Sequence, residues 1–259
     1  MAIEGFLFDL DGVFYISKQL IDGANDTILW LKNNNLPYRF VTNTSTLSRS
    51  KLSTKLSSYG LDINQDEIIS ANYAGVLYLQ NFQPQSCRLI LKEDAKDDYR
   101  QFNIDETCPE YIIIGDIDNQ WNFELMNELF NLALQGSKII SLHKGKYYQT
   151  DTGLQIDSGA FIKGIEYAAG VKSHVIGKPE KDFFSIAIND LGLDNDKIAM
   201  IGDDLINDIQ GSNDAGICSI LVKTGKYRQE IFDKSTISPD YIINSIQDLP
   251  ILYNKYLNL

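Results

Sequence analysis

Short apolar runs alternate along the chain with longer segments in which apolar residues recur at helical spacing. In the first part of the chain this pattern predicts strand 5–8, helix 24–34, strand 38–41 and helix 48–59, the last ending before Gly60. Strands that alternate with helices are typical of βαβ units, in which the strands form a mostly parallel sheet. The pattern therefore predicts an α/β fold.

The alternation is interrupted after a predicted helix over residues 71–82, by the polar stretch 83–86 around Pro84. A second series then predicts strands 88–91, 111–114 and 138–142, together with a helix whose apolar face comprises Met126, Leu129, Phe130 and Ala133. A third series begins with a predicted strand at 174–176 and continues to a terminal helix. We expect the middle series to form an inserted domain.

Four of the predicted strands are followed directly by polar residues. The carboxyl ends of parallel strands meet at one edge of a sheet, and this edge is where ligands of open α/β sheets bind. The residues after the four strands are Asp9 with Asp11, Thr42 with Asn43, Lys178, and Asp203 with Asp208. If these strands are neighbours, several carboxylates, a hydroxyl and an ammonium group share one crevice.

This combination suits phosphoryl transfer, which requires an in-line nucleophile and positive charge near the phosphoryl oxygens. The Asp9 carboxylate can attack phosphorus and form an aspartyl-phosphate. Asp11 can protonate the leaving oxygen and later take a proton from the attacking water. Because clustered carboxylates repel one another and phosphate, the site requires a hard divalent cation, and Mg²⁺ fits best. Lys178 and Thr42 would hold the phosphate oxygens.

The segments DLDGV, VTNTS, VIGKPE and IGDDLINDI resemble, in this order, the motifs of haloacid dehalogenase (HAD) superfamily phosphatases. The segment that ends in KGKYYQTDTGLQIDSGAFIKGIEYAAG resembles the C2-type cap of subfamily IIA, the NagD-like branch, which includes nucleotide and pyridoxal phosphate phosphatases. The resemblance implies a HAD-fold core, a Rossmann-like doubly wound parallel sheet, over residues 1–83 and 174–259. It also implies an inserted α/β cap domain over residues 84–173.

Within this subfamily, the segments GKYY, GIEYA, GKPE and LVKTGKYR are similar to two groups of proteins. These groups are haloacid dehalogenase-like hydrolase domain-containing protein 2 and phospholysine phosphohistidine inorganic pyrophosphate phosphatase. Both groups often have Ser where this chain has Asp11. The presence of Asp11 therefore favours a more conventional phosphatase than either group.

The resemblance also assigns roles to the acidic residues of the motifs. Asp9 is implied to be the nucleophile and a Mg²⁺ ligand, and Asp11 the general acid/base and a Mg²⁺ ligand through its backbone carbonyl. Asp203 is implied to complete the metal site. Asp208 matches the second acidic position of the last motif, where it would support the ligands without binding the metal itself.

The phosphate-binding residues implied by the resemblance are Thr42, Asn43 and Lys178. One position departs from the NagD-type and pyridoxal phosphate phosphatases, which tend to carry Asn where this chain has Thr44. This departure weakens the transfer of their substrates to this chain. The expected substrate is therefore a small phosphorylated metabolite of unspecified class.

Charge narrows the range of partners. The chain has 259 residues with 23 Lys+Arg and 35 Asp+Glu, which gives a net charge of −12. This charge repels nucleic-acid phosphates and anionic lipid, so we expect neither nucleic acid nor a membrane surface as a partner. Three widely spaced cysteines favour a reducing compartment, and no apolar run is long enough for a membrane span. We expect a soluble cytoplasmic protein, and the resemblance suggests a homodimer.

The same residues allow other interpretations. A dehalogenase would use Asp9 without Asp11 or a metal, and the full acidic set argues against it. A non-catalytic or regulatory binding protein with a HAD fold stays an alternative, as does a hydrolase of pyrophosphate or phosphoamino acids. Asp204 is interpreted as contacting solvent or a neighbouring loop. Asp116 and Asp118 are interpreted as turn residues.

A small basic cluster in the predicted cap offers a testable hypothesis. His143 follows an apolar run and precedes Lys144 and Lys146, and we hypothesise that this cluster contacts an anionic or phenolic part of the substrate. Replacing His143 should then raise KM for the natural substrate and leave KM for a small artificial substrate nearly unchanged. Steady-state kinetics on both substrates check this, and equal effects on the two would contradict it.

Overall fold

The computed structural model describes residues 2–150 and 153–258 and divides the chain into two compact units. The first unit comprises Met1–Thr42, Leu52–Ile69 and Lys178–Leu259, and the second unit comprises Asn43–Lys51 and Ser70–Gly177. Both units contain parallel sheet with helices between the strands, so the predicted α/β fold is confirmed.

The amino-terminal part contains β1 (Gly5–Phe8), β2 (Tyr15–Ile16), β3 (Gln19–Leu20), α1 (Ala24–Asn33), β4 (Tyr38–Thr42), α2 (Arg49–Ser58) and β5 (Ile68–Ser70). The middle part contains α3 (Ala71–Gln80), β6 (Cys87–Ile90), β7 (Tyr111–Ile114), α4 (Phe123–Leu134), β8 (Lys138–Ser141), β9 (Tyr147–Thr150), β10 (Gly153–Ile156), α5 (Ser158–Ala169) and β11 (His174–Val175). The carboxyl-terminal part contains α6 (Lys181–Leu191), β12 (Ile198–Gly202), α7 (Gly211–Ala215), β13 (Cys218–Val222), α8 (Gln229–Phe232), β14 (Tyr241–Ile243) and α9 (Leu249–Leu252). No helix in the described part of the chain is both long enough and apolar enough to cross a bilayer.

The first unit is built on a six-stranded sheet with the strand order β14-β13-β12-β1-β4-β5. β1 pairs in parallel with β12 on one side and with β4 on the other, so that Phe8 lies opposite both Ile201 and Phe40. Along the chain, β4 and β5 are added on one side of β1 first, and β12, β13 and β14 are added on its other side later. The ends of β1, β4 and β12 therefore form a topological switch point, the place where such sheets bind ligands.

Aromatic side chains fill the core around β1. All residues of β1 are buried, as expected for a strand of a parallel sheet that is covered on both faces. The Phe14 ring meets the rings of Phe8 and Phe40 edge to face, with centroid distances of 5.4 and 5.2 Å. This packing fixes the strand ends that carry the candidate site.

The second unit contains a four-stranded sheet with the order β11-β8-β7-β6, in which every pair is parallel. α4 and α5 pack against it through a core cluster that includes Ile112, Ile114, Leu129 and Ile162. β9 and β10 form an antiparallel hairpin. The hairpin and the 3₁₀ helix Glu93–Tyr99 are absent from the sequence-based prediction.

Most predicted elements agree closely with the structure. The predicted helix 24–34 is α1, the predicted helix 48–59 is α2 without its terminal residues, and the predicted strand 88–91 is β6 shifted by one residue. On the predicted face of α4, Leu129 and Ala133 are buried. Hydrophobic periodicity thus located these elements.

The limits of the two units differ from the predicted domain boundaries at 83/84 and 173/174. β11 belongs to the second unit because His174 and Val175 pair with Ile140 and Ser141 of β8. α3 also belongs there, since the Tyr99 hydroxyl donates to the carbonyl of Asn72 across 2.9 Å. A break in sequence pattern at Pro84 does not reveal such long-range pairing.

Truncation of Phe40 to Ala should lower the free energy of unfolding by about 3 to 5 kcal/mol, because it leaves a cavity among the rings of Phe8 and Phe14. Urea denaturation checks this. The matched control is Leu29→Ala on α1, whose side chain is 57% exposed and which should change stability by no more than about 0.5 kcal/mol. Similar effects of the two substitutions would contradict the packing described here.

Candidate active site

Three adjacent strands of the first unit deliver the candidate residues. Asp9 follows β1, Thr42 ends β4 and Asp203 follows β12, and all three side chains are buried. The Asp9 backbone N–H donates to the carbonyl of Ile201 across 2.9 Å, which extends the parallel pairing into the site. The predicted meeting of these strand ends is therefore seen in the first unit.

Lys178 forms the centre of the site. Its Nζ lies 2.7 Å from Asp9 Oδ1, 2.7 Å from Asp208 Oδ1 and 3.2 Å from the carbonyl oxygen of Val41. Burial alone would lower the pKa of Lys178, but the carboxylates of Asp208 and Asp9 outweigh it and raise the pKa. The buried ammonium therefore stays charged and holds two acidic side chains in place.

Asp9, Asp203 and Asp208 form a buried acidic cluster in which each offers a carboxylate oxygen within 4.8 Å of the others. Burial, followed by the carboxylates of Asp9 and Asp208, raises the pKa of Asp203 to about 7. Asp203 Oδ2 accepts the Lys226 backbone N–H at 2.6 Å, whereas its buried Oδ1 has no hydrogen-bond partner among the described residues. An unpartnered oxygen beside two further carboxylates fits a hard divalent cation.

The segment after β1 is shaped by Gly12, which has a positive φ of 85°. A Cβ at this position would lie 2.0 Å from Asp203 Oδ2, so only glycine lets the loop approach the acidic cluster. Asp11 remains accessible to solvent, and partial desolvation raises its pKa despite the opposing charges of Lys226 and Lys55. A raised pKa suits a group that donates a proton.

Asp208 and Asp204 form different sets of hydrogen bonds. Asp208 is fully buried, and its Oδ2 accepts the Asp204 backbone N–H at 3.1 Å while Oδ1 bonds Lys178. The Asp204 side chain accepts the N–H groups of Ile206 and Asn207 and so caps the π-helical segment Leu205–Gln210. Asp204 Oδ2 also accepts the Lys226 ammonium at 2.9 Å, so Asp204 contacts the loop after β13, one of the two alternatives expected from the sequence.

Asn43 and the predicted cap residues lie in the second unit. His143 Nε2 is 3.0 Å from Asp157 Oδ1 and 3.2 Å from Ser158 Oγ, and Nδ1 is 3.4 Å from Ser45 Oγ. The hydrogen bonds from His143 and Ser158 outweigh the effect of burial and lower the pKa of Asp157, so its carboxylate holds the imidazole. Both ring nitrogens of His143 therefore have partners within the second unit.

The two predicted lysines of the cap differ in their surroundings. The Lys144 ammonium pairs with Glu166 and also donates to Ser173 Oγ at 3.0 Å. Its partner Glu166 is buried, and although burial opposes it, the hydrogen bonds from Lys144 and Lys163 lower the pKa of Glu166 to about 2. Lys146 is exposed. The contacts of Lys144 are structural, and a role in substrate binding stays a prediction for all three cap residues.

Sequence reasoning missed the contribution of the loop after β13. Lys226 donates its backbone N–H to Asp203 and its ammonium to Asp204 Oδ2 at 2.9 Å, and Thr224 donates its hydroxyl to the carbonyl of Gly12. β13 is the neighbour of β12 in the sheet. The rule that was applied to the other strand ends indicates this loop, but not which of its residues contact the acidic cluster.

Comparison with known proteins places this chain in a family. Residues 6–105 match the family model described as haloacid dehalogenase-like hydrolase, and residues 175–249 match a second model of the same type, described as HAD-hydrolase-like. The chain is 34% identical to human haloacid dehalogenase-like hydrolase domain-containing protein 2, over 92% of this chain and 90% of the relative. It is 31% identical to human phospholysine phosphohistidine inorganic pyrophosphate phosphatase, over 95% and 93% of the two chains.

A solved structure gives the same result. The crystal structure of the 4-nitrophenylphosphatase from Thermotoga maritima superposes with a TM-score of 0.88 at 27% identity, covering 95% of this chain and 96% of the other. The inferred resemblance to HAD phosphatases, and with it the expectation of an enzyme of that class, is confirmed. The chain belongs to the haloacid dehalogenase-like hydrolases.

Proposed function

We propose that this protein is a Mg²⁺-dependent phosphatase that hydrolyses a small phosphorylated metabolite through an aspartyl-phosphate. The observation that carries the proposal is the contact of one buried ammonium, Lys178, with the carboxylates of Asp9 and Asp208 beside an unpartnered oxygen of Asp203. This arrangement combines a held nucleophile with a place for a cation. Both are requirements of phosphoryl transfer.

Asp9 is the nucleophile in this proposal. A carboxylate oxygen of Asp9 bonds to phosphorus while the bond between phosphorus and the leaving oxygen breaks, and Asp11 gives its proton to that oxygen. Asp11 then takes a proton from water, which attacks the aspartyl-phosphate and releases phosphate with regeneration of Asp9. Lys178 fixes the Asp9 carboxylate through Oδ1 and places positive charge beside the reacting phosphate.

Mg²⁺ would be held by Asp9, Asp203 and the backbone carbonyl of Asp11. The clustered carboxylate oxygens and the unpartnered Asp203 Oδ1 support this assignment. When bound, the cation neutralises charge on the phosphoryl oxygens and on the acidic cluster. Asp208 supports the site through Lys178 and through the Asp204 backbone.

Thr42, Asn43 and Lys178 are the proposed phosphate-binding residues, and the second unit is the proposed cap. Relatives are named for activity on 4-nitrophenyl phosphate and on phospholysine, phosphohistidine and pyrophosphate. A screen with pyridoxal phosphate, nucleoside monophosphates, sugar phosphates and pyrophosphate therefore separates a metabolite phosphatase from a hydrolase of pyrophosphate. A phosphoamino acid in the same screen tests the remaining alternative.

Activity on 4-nitrophenyl phosphate should require both Mg²⁺ and Asp9. Replacing Asp9 with Asn should lower kcat by at least about a thousandfold, because the amide cannot act as the nucleophile. Release of 4-nitrophenol with Mg²⁺ and with chelator measures this, and Asp22→Asn at an exposed position of the first unit is the control. Activity that survives chelation or the Asn substitution would exclude the proposed mechanism.

Stability without metal should fall as pH rises. Between the ordinary pKa of Asp203, 3.8, and its folded value of about 7, the folded chain holds a proton that the unfolded chain has lost. Ionisation of Asp203 should therefore cost the folded state on the order of 4 kcal/mol by pH 8, at about 1.4 kcal/mol for each pKa unit. Asp203→Asn removes this cost, and Mg²⁺ should offset it in the wild type only.

Urea denaturation at about pH 5 and pH 8, with chelator and with Mg²⁺, measures these differences. The control is again Asp22→Asn, which should follow the wild type under every condition. The same pH dependence of the wild type and Asp203→Asn in chelator would show that ionisation of Asp203 does not destabilise the folded chain.

A further inference from the structure

The second unit contains a cavity of about 580 Å³ that the proposed catalytic chemistry does not use. It lies among the segment before α4, the β9–β10 hairpin and the beginning of α5. The lining residues are Asp116, Asp118, Asn119, Trp121, Tyr148, Gln155, Ile156, Ser158 and Phe161. The volume is within the range of pockets that take small organic ligands.

The charge of this cavity is negative. Two carboxylates line it, and its lining includes no Lys, Arg or His. One of the carboxylates, Asp118, forms an ion pair with Lys92. The other, Asp116, accepts the Asp118 backbone N–H through Oδ1 at 2.8 Å and is left without a neutralising cation among its described contacts. The cavity therefore carries about one uncompensated negative charge.

Aromatic rings form much of the remaining wall. Trp121 and Phe161 stack with parallel planes, 4.8 Å between centroids and 5° between planes, and this stack makes a rigid apolar surface. The Tyr148 hydroxyl donates to Gln155 Oε1 at 3.0 Å, which fixes a third ring and an amide. Partial burial and the carboxylates of Asp118 and Asp116 raise the pKa of Tyr148, in agreement with a negative local potential.

We propose that this cavity binds an organic ammonium ion. Aromatic faces attract an alkylated ammonium through their quadrupoles, and they tolerate the apolar groups around the nitrogen better than they tolerate a hydrated metal ion. Asp116 supplies the opposite charge, and the amides of Asn119 and Gln155 can accept or donate hydrogen bonds to the rest of the molecule. The ligand class is an organic molecule with one positively charged, alkyl-substituted nitrogen.

The test uses choline as the probe and 3,3-dimethyl-1-butanol as its neutral isostere, titrated into the full chain at constant ionic strength. The chain has two tryptophans, so in a Trp30→Phe variant the fluorescence reports on Trp121 alone. Choline should bind at least about tenfold more tightly than the isostere. Equal affinities would show a merely apolar cavity and overturn the proposal.

Asp116→Asn isolates the charge, because the amide keeps the Oδ1 that accepts the Asp118 N–H. This variant should bind choline about five- to tenfold more weakly, whereas Glu124→Gln, an equal loss of charge at an exposed position of α4, should bind it as the parent does. An unchanged affinity in Asp116→Asn would overturn the proposal. Displacement of choline by CaCl₂ at matched ionic strength would also overturn it, by assigning the carboxylates to an inorganic cation.

These measurements contain no phosphate ester and do not involve Asp9 or Lys178. Failure of choline binding therefore leaves the proposed phosphatase activity untouched, and loss of that activity leaves the binding result intact.

Discussion

The buried ion pair network of Lys178 is the constraint on which the first unit depends. Burying an ammonium ion away from water is strongly unfavourable unless carboxylates surround it. Burying a carboxylate likewise requires a cation beside it. Asp9 and Asp208 meet the first requirement and Lys178 meets the second. Asp9 and Asp208 follow strands of the six-stranded sheet, whereas Lys178 follows β11 of the four-stranded sheet. The carboxyl edge of the sheet must therefore be built as a whole, since removing one member leaves an uncompensated charge.

One ammonium does not balance three carboxylates, and this imbalance explains the character of the site. Asp203 is the carboxylate that Lys178 does not contact, and it is also the one with an unpartnered buried oxygen. Its other oxygen receives a backbone N–H from Lys226, which brings partial positive charge without another ionic group. In a chain of net charge −12, the positive potential that attracts phosphate must be local and concentrated at this edge.

The sequence predicted the parts of the site that follow from strand ends. Asp9, Thr42 and Asp203 were identified because each follows a short apolar run, and the register of β1 between β4 and β12 brings these runs together. Lys226 obeys the same rule but was missed, because a lysine in a Gly-containing loop has no distinctive local pattern. Its role depends on a backbone N–H, which every residue other than proline carries.

The placement of His143 shows a different limit. Its neighbours in the chain suggested a basic cluster, whereas in the structure Asp157 and Ser45, far apart in sequence, bond its ring. The assignment of β11 to the second unit was missed for the same reason, because its pairing with β8 is a long-range contact that no local pattern encodes. Local periodicity predicted the helices and strands, whereas pairing between distant segments determines the unit to which each of them belongs.

The short segment Asn43–Lys51 has a consequence for dissecting the protein. It belongs to the second unit although the rest of that unit begins at Ser70. Within it, the Ser48 N–H donates to the Asp94 carbonyl at 2.7 Å, and Ser45 Oγ accepts the Asp116 N–H at 3.1 Å. A fragment cut as one continuous piece from Ser70 onward would lose these partners. An autonomous version of the second unit requires Lys51 to be joined to Ser70 by an artificial linker that replaces Leu52–Ile69.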